Sequence, residues 1–209
     1  MVAMNEHYFS AQPASNAQLR TIDVRLAGRD LSVATAAGVF SPGHLDTGTR
    51  VLLDEIPDPP DGDVLDLGCG WGPVAIHTAL TGAAAGTHPR IWSLDVNERA
   101  LDLVRRNAAD LGLGSIRAVT AADIPPQVRF AAIYSNPPIR VGKAVLHELL
   151  LTWLPRLAPG GAAWLVVAKK LGADSLLTWL RSELGEAYAV ERTTTSKGFR
   201  ILRIERLAD

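Results

Sequence analysis

Two patterns divide the chain. Between residues 19 and 36, LRTIDVRL and DLSVATA are short and β-prone, and AGRD between them supplies Gly28 for a turn. This predicts a β-hairpin. GVFSPGHLDTGT follows with turn residues, RVLLDEI predicts a short helix, and PDPPDGD a loop. From Asp63 short apolar runs alternate with helical segments. The runs DVLDLG, RIWSLDV, SIRAVTA, FAAIYS and AAWLVVA predict strands. Helices are predicted over 72–80, with Pro73 in the first turn where a missing N–H costs nothing, and over 97–111, with Asn97 as N-cap. Two more are predicted over 143–154 and 174–184, while TGAAAGTHP at 81–89 reads as a loop. AYAVERT and GFRILRIERL close the chain as two strands around an SKG turn. Serial βα units imply a mostly parallel sheet with helices on both faces. The tightly joined last pair must be antiparallel. The fold class is therefore α/β with a small amino-terminal hairpin extension. The expected division is 1–56 for that extension and its following segment, and 57–209 for the sheet domain.

Composition narrows the function classes. With 209 residues, 47% hydrophobic and 21% charged, the chain suits a globular domain and not a disordered one. Lys and Arg total 21 against 22 Asp and Glu, a net charge of −1, which excludes a chain-wide basic field for gripping nucleic acid. The charge is uneven: from Arg140 onward there are 11 basic and 7 acidic residues, before it 10 and 15. That asymmetry reads either as ordinary surface variation or as a basic rim beside a site built late in the chain. Cys69 is the only cysteine, so no intrachain disulfide or Cys-rich zinc site can form, and a reducing cytoplasm fits. MVAMNEHYFS has neither a basic n-region nor an apolar h-region, so no signal peptide is expected. The most apolar stretch, 157–168, is interrupted by Pro159, Gly160 and Gly161 and falls short of the roughly 20 residues that span a bilayer.

Candidate chemistry gathers at strand ends. Asp66-Leu67-Gly68-Cys69-Gly70-Trp71-Gly72 lies between a strand and a helix. Glycines there let backbone approach a ligand, and the helix N-terminus adds a positive end. Pro73 takes the place of the last glycine of a G-x-G-x-x-G dinucleotide fingerprint, so that fingerprint fails. Asp95 ends the second strand of the sheet domain, where a carboxylate can accept both hydroxyls of a ribose or cap a helix. Asp123 can accept from an adenine amine or open a turn before Pro125. Tyr134-Ser135-Asn136-Pro137-Pro138-Ile139 is the sharpest signal, placed after the strand expected beside the first. The two prolines remove N–H donors and leave local carbonyls free, so the Asn136 amide oxygen and a backbone carbonyl make a matched acceptor pair for an –NH₂ group. The other reading is a stiff turn. His44 and His147 are lone histidines that this chemistry does not require.

Together these residues resemble a class I S-adenosylmethionine-dependent methyltransferase with a Rossmann-like sheet. D-L-G-C-G-W-G looks like the cofactor loop of that superfamily, and S-N-P-P like the catalytic motif of its amino-methylating members. GVFSPGHLDTGT, NPPIRVGKAVLHELL and KGFRILR narrow the resemblance to the methyltransferase small domain family, over nearly the whole chain from about Leu19. The resemblance implies that Asp66, Gly68, Cys69, Gly70 and Gly72 frame the methionine part of the cofactor, that Asp95 and Val96 take the ribose side, and that Asp123 takes the adenine amine. Phe40, Leu45, Asp46, Gly48 and Thr49 would cover it from the amino-terminal side, and Asn136, Pro137 and Pro138 would form the catalytic motif. The family includes guanine exocyclic-amine methyltransferases of small-subunit ribosomal RNA. Those typically carry a further amino-terminal domain and an aromatic residue after Asn-Pro-Pro, where this sequence has Ile139. Phe40, Tyr134 or Trp71 would have to supply base stacking instead. Ile139, Arg140, Lys143, Lys169, Lys170 and Lys197 are the expected acceptor-side residues. The expectation is methylation of an RNA base amine, guanine first, by a cytoplasmic protein with no metal or membrane partner. The alternatives are protein glutamine amide methylation and a non-catalytic S-adenosylmethionine-binding module. A dinucleotide oxidoreductase is the weakest rival.

Overall fold

The computed structural model describes residues 18–208; the amino-terminal stretch read for a signal peptide lies outside the described residues. The hairpin forms as β1 (Leu19–Leu26) and β2 (Arg29–Ala36), joined through Ala27 and Gly28, both at positive φ. That is the twist-compatible two-residue turn that glycine favours. Helix α1 (Thr47–Glu55) follows, and then β3 (Gly62–Leu67), α2 (Pro73–Ala85), β4 (Pro89–Leu94), α3 (Glu98–Asp110), β5 (Ile116–Val119) and β6 (Phe130–Ser135). The chain continues through α4 (Lys143–Trp153), β7 (Leu157–Ala168), α5 (Ala173–Leu184), β8 (Tyr188–Ser196) and β9 (Phe199–Arg206).

The seven-stranded sheet has the order β5-β4-β3-β6-β7-β9-β8, and only β9 runs against its neighbours. Period-two alternation builds the two layers around it. On β3 and β6, Val64, Ala132 and Tyr134 face a core shared with α1, α2, α3 and the hairpin. Leu65, Leu67 and Ile133 face the core under α4 and α5. Hairpin residues Val24, Leu26, Val33 and Ala36 are buried in the first of these cores.

Two expectations change. The segment 81–89 is not all loop: α2 runs on to Ala85, and β4 begins at Pro89. Gly82 is tolerated inside the helix because a Cβ there would come within 2.9 Å of Pro89 Cδ, so helix and strand meet at the glycine. Close packing outweighs the low helix propensity of glycine. The fifth strand of the sheet domain, β7, begins at Leu157, five residues before the apolar run AAWLVVA, with an irregularity in its pairing to β6 around Phe130 and Ala132.

The order places the site. From β3 the chain moves outward through β4 and β5, then returns to β6 on the other side of β3. Ligands in such sheets bind where the order reverses, beyond the carboxyl ends of the strands. Register aligns Leu67 with Leu94 on one side and with Ser135 on the other. Gly68, Asp95 and Asn136 are each the next residue, and so emerge together at one edge.

Candidate active site

The glycine loop begins with backbone bonds: the N–H groups of Gly68 and Cys69 both donate to the Leu94 carbonyl, at 2.9 and 3.0 Å. Asp66, buried one residue from the strand end, accepts the Ala75 N–H at 3.1 Å. It thus supplies to α2 the cap that Gly72, with no side chain, cannot. Burial pushes its carboxyl pKa up to about 8, with the nearby Asp95 adding to the rise and the Ala75 N–H opposing it. Asp95 accepts the Gly70 N–H at 3.0 Å through Oδ2 and the Asn97 N–H at 2.9 Å through Oδ1. Its carboxyl is raised by burial, against the pull of those backbone donors. Asp95 therefore holds the loop to the start of α3, while Asn97 caps that helix by accepting the Arg99 N–H.

Asn136 stands beyond β6, and Ser135 ties that strand end down by donating from Oγ to the Leu67 carbonyl at 2.7 Å. The Asn136 Nδ2 donates to Asp46 Oδ2 and to Thr49 Oγ1, both at 3.0 Å. Those partners come from the N-cap and first turn of α1, 90 and 87 residues earlier in the chain. The Pro137 carbonyl is not free, against the sequence expectation. It accepts the Ile139 N–H at 2.9 Å across Pro138, whose φ of −75° and ψ of 75° make an inverse γ-turn. A carbonyl has two lone pairs, so one acceptor position remains at Pro137.

The sequence matches the family described as methyltransferase small domain over residues 30–203. The chain belongs to the methyltransferase small domain family. That family is one of methyltransferases. The chain is 32% identical over 208 residues to the uncharacterized protein YbxB of Bacillus subtilis (strain 168), covering 98% of this chain and 100% of that one. It is 36% identical over 163 residues to the ribosomal RNA small subunit methyltransferase C of Pseudomonas aeruginosa (strain LESB58), covering 75% of this chain. It spans about half, 47%, of that relative's length. Among solved structures it resembles the Thermus thermophilus 16S rRNA N2 G1207 methyltransferase (RsmC), in complex with AdoMet and guanosine. The TM-score is 0.77 at 23% identity, over 93% of this chain and 52% of that one, a likeness of fold.

The glycine loop leaves room for a ligand at its first turn. Gly68 and Gly70 have φ of 78° and 56°, and a Cβ on Gly68 would meet nothing within 4 Å, so bare backbone faces open space. At Gly72 a Cβ would press on Val104 Cγ2 at 3.1 Å, so that glycine serves the packing of loop against α3. Cys69 is buried with Leu101 and Val104, and burial, with Asp95 and Asp66 nearby, pushes its thiol pKa well up. It is a neutral packing residue. Val96 is exposed, beside Asp95 at the strand end. Phe40 is 45% exposed over the loop, its Cβ 3.9 Å from where a Gly70 Cβ would be. Leu45 is buried in the core. Asp123 stands at the β5 end, fully exposed, where Oδ2 accepts from the N–H and Oγ1 of Thr120, both at 2.8 Å. Those bonds hold its carboxyl below the usual range, and they close a turn.

On the acceptor side, Ile139 is half-buried against the core under α4. Trp71 and Tyr134 are core residues at 2% and 0% exposure, so neither can stack on a base. Of the three aromatic residues named for that task, Phe40 alone is exposed. Lys169, Lys170 and Lys197 line one cleft of about 560 Å³ with Phe199. The Lys169 N–H donates to the Gly198 carbonyl at 2.9 Å, which brings the β7 end against the β8–β9 turn. Lys143 is exposed at the start of α4, and the Arg140 side chain lies outside the described residues. His147 stacks on Trp179 with ring centroids 3.5 Å apart, and His44 is exposed on its loop. Among the described residues no group of three or more His, Cys, Asp or Glu gathers as a metal site, and no helix is long and apolar enough to cross a membrane.

Sequence reasoning missed Asn107. It is buried mid-helix in α3, accepts the Ala34 N–H at 2.7 Å, and donates at 3.0 Å to the carbonyls of both Ala34 and Trp71. It joins hairpin, glycine loop and helix. A polar residue on the otherwise apolar face of a helical pattern was the available signal.

Proposed function

We propose that this methyltransferase acts on an exocyclic base amine in RNA, guanine first, with Asn136 as the catalytic residue. The observation that carries the reading is the Asn136 carboxamide at the strand ends, held by two bonds from its nitrogen, with no donor bonded to its oxygen among the described residues. When bound, S-adenosylmethionine supplies a methyl group already activated on a sulfonium. Gly68, Gly70 and Gly72 would hold its methionine part, Asp95 and Val96 its ribose side, and Asp123 its adenine amine through Oδ1, to which no donor is bonded among the described residues. Asn136 Oδ1 and the remaining lone pair of the Pro137 carbonyl accept the two amine hydrogens, aim the nitrogen lone pair, and stabilise the positive charge that grows on nitrogen. No base acts before attack, because the proton leaves afterwards. Lys169, Lys170 and Lys197, with Lys143, would contact phosphates, and Ile139 and Phe40 would bound the base. RNA is favoured over protein by that lysine-lined cleft and by relatives named as ribosomal RNA methyltransferases.

The test is transfer of labelled methyl from S-adenosylmethionine into the RNA and protein fractions of cells lacking the gene. Label is expected in RNA. Asn136→Ala should lower transfer about 10²–10³-fold, the scale for losing one transition-state hydrogen bond, with cofactor affinity unchanged. Label in the protein fraction would replace RNA by a glutamine amide. Parallel loss of affinity and turnover would make Asn136 a cofactor or folding residue.

A further inference from the structure

We propose that Asp46, assisted by Thr49, is a positioning residue that fixes the orientation of the Asn136 carboxamide and thereby restricts the acceptor to a hydrogen-bearing nitrogen. The proposal rests on the reading of Asn136 as the catalytic residue, and assigns to the N-cap of α1 and a residue of its first turn a task other than covering the cofactor.

The chemistry of the partners decides which way the amide faces. The two ends of a carboxamide are alike in shape, so a lone asparagine fits either way round. A carboxylate only accepts hydrogen bonds. Asp46 Oδ2 already accepts the Thr49 N–H at 3.0 Å as N-cap of α1, and at 3.0 Å it meets Asn136. Reversing the amide would set two acceptor oxygens against each other in a half-buried place. Nδ2 must therefore face Asp46. Its second hydrogen goes to Thr49 Oγ1, on a side chain only 3% exposed. Both donors of the amide are thus consumed inside the protein. Among the described residues no donor is bonded to Oδ1.

The carboxylate is itself confined. A Cβ on Gly48 would stand 3.0 Å from Asp46 Oδ2 and 2.8 Å from Phe199 Cε1, so the bare glycine lets the Phe199 ring close over the α1 start. Phe199 opens β9 and adjoins the lysine-lined cleft. What remains for a substrate is an acceptor-only face, Asn136 Oδ1 beside the Pro137 carbonyl. An amine with two hydrogens satisfies it; a hydroxyl satisfies half. The nearby carboxylate also polarises the amide, which strengthens Oδ1 as an acceptor as charge develops on the methylated nitrogen.

The test separates positioning from helix capping. Asp46→Ser keeps a good N-cap oxygen, but on a side chain one atom too short to cap and also reach Asn136. Asp46→Asn restores an acceptor of full length. With tritiated S-adenosylmethionine and total RNA from cells lacking the gene, Asp46→Ser should lose about 100-fold in kcat, the scale for a reacting group misplaced by an ångström. KM for S-adenosylmethionine and the thermal midpoint should stay at wild-type values, and Asp46→Asn should recover most of the loss. Thr49→Val, which keeps the capping N–H, should lose kcat in the same pattern. Wild-type kcat in Asp46→Ser, or a loss matched by falling cofactor affinity, overturns the proposal. A second readout needs no acceptor: NMR exchange of the Asn136 side-chain amide protons, expected to be about tenfold slower in wild type than in Asp46→Ser. Equal exchange rates overturn the proposal whatever the acceptor proves to be. Slow exchange in a protein that transfers nothing to RNA upholds the amide lock and overturns the RNA reading.

Discussion

Asp66 is a buried carboxyl group that, among the described residues, accepts one backbone N–H, that of Ala75, and its pKa of about 8 has a consequence for stability. In the unfolded chain the group titrates near 3.8, so between about pH 4 and 8 the folded chain holds a proton that the unfolded chain has released. Stability from this group is complete below pH 4 and is lost as pH rises through 8. Asp66→Asn keeps an oxygen for the Ala75 N–H and removes the titration. The thermal midpoint of wild type should therefore fall by several degrees relative to Asp66→Asn between pH 4 and 8, and hold level above it, since each kcal/mol moves a chain of this size about 2–4 °C. Midpoint curves that stay parallel across that range would show that Asp66 does not titrate there. The glycine loop announces Asp66 by its place before Gly68, but not its burial. Asp95 is legible in the same way as an acid at a strand end. Its two backbone bonds go to the loop at Gly70 and to Asn97, and Asn97, not Asp95, is the cap of α3.

At the scale of elements, the hairpin and α3 form one clamp over the glycine loop. Asn97 donates to the Gly38 carbonyl at 2.7 Å, Arg99 to the Ala37 carbonyl at 2.6 Å, and Asn107 to Ala34 and Trp71. Three residues on one helix thus fix the chain from β2 to the segment that carries Phe40. Asn107→Leu would leave a buried N–H and two carbonyls without partners, each worth about 1–3 kcal/mol when orphaned. The variant should unfold at a midpoint at least about 5 °C lower by thermal melt, and cofactor affinity should fall with it because the Trp71 carbonyl belongs to the loop. A melt within a degree of wild type would show that water replaces the side chain at no cost. Most elements were legible from period and caps: Asn97 as N-cap, Pro73 at a helix start, FAAIYS as a strand. The end of α2 was not, because Gly82 reads as a breaker until Pro89 is seen against it.

Across the whole molecule, the charge asymmetry becomes a place. Lys169 and Lys170 follow β7 and Lys197 precedes β9, and the antiparallel pairing of those strands puts all three on one cleft in a chain of net charge −1. If RNA is the acceptor, each phosphate neutralised adds about 0.7 to the salt dependence of single-strand binding. Replacing the three lysines by glutamine should lower the slope of log affinity against log salt by about 2, with methyl transfer recovered at saturating RNA. A slope unchanged in the triple variant would make these lysines solvated surface charges.

What the sequence alone determined is what short stretches decide. The strand–helix alternation, the loop of Gly68, Gly70 and Gly72, the stiffness of Asn136-Pro137-Pro138 and the hairpin turn at Gly28 all follow from backbone preferences and periodicity within a few residues. Those are local energies, and they do not wait for the rest of the chain. The tertiary structure decided which distant groups meet. Trp71 and Tyr134 look like base-stacking candidates until the sheet buries them. Asp46 and Asn136 are 90 residues apart and become partners only because α1 begins at the edge where β3 and β6 end. A hydrogen bond requires its atoms within about 3 Å, and over such separations that distance is set by strand order and register, which no local preference encodes.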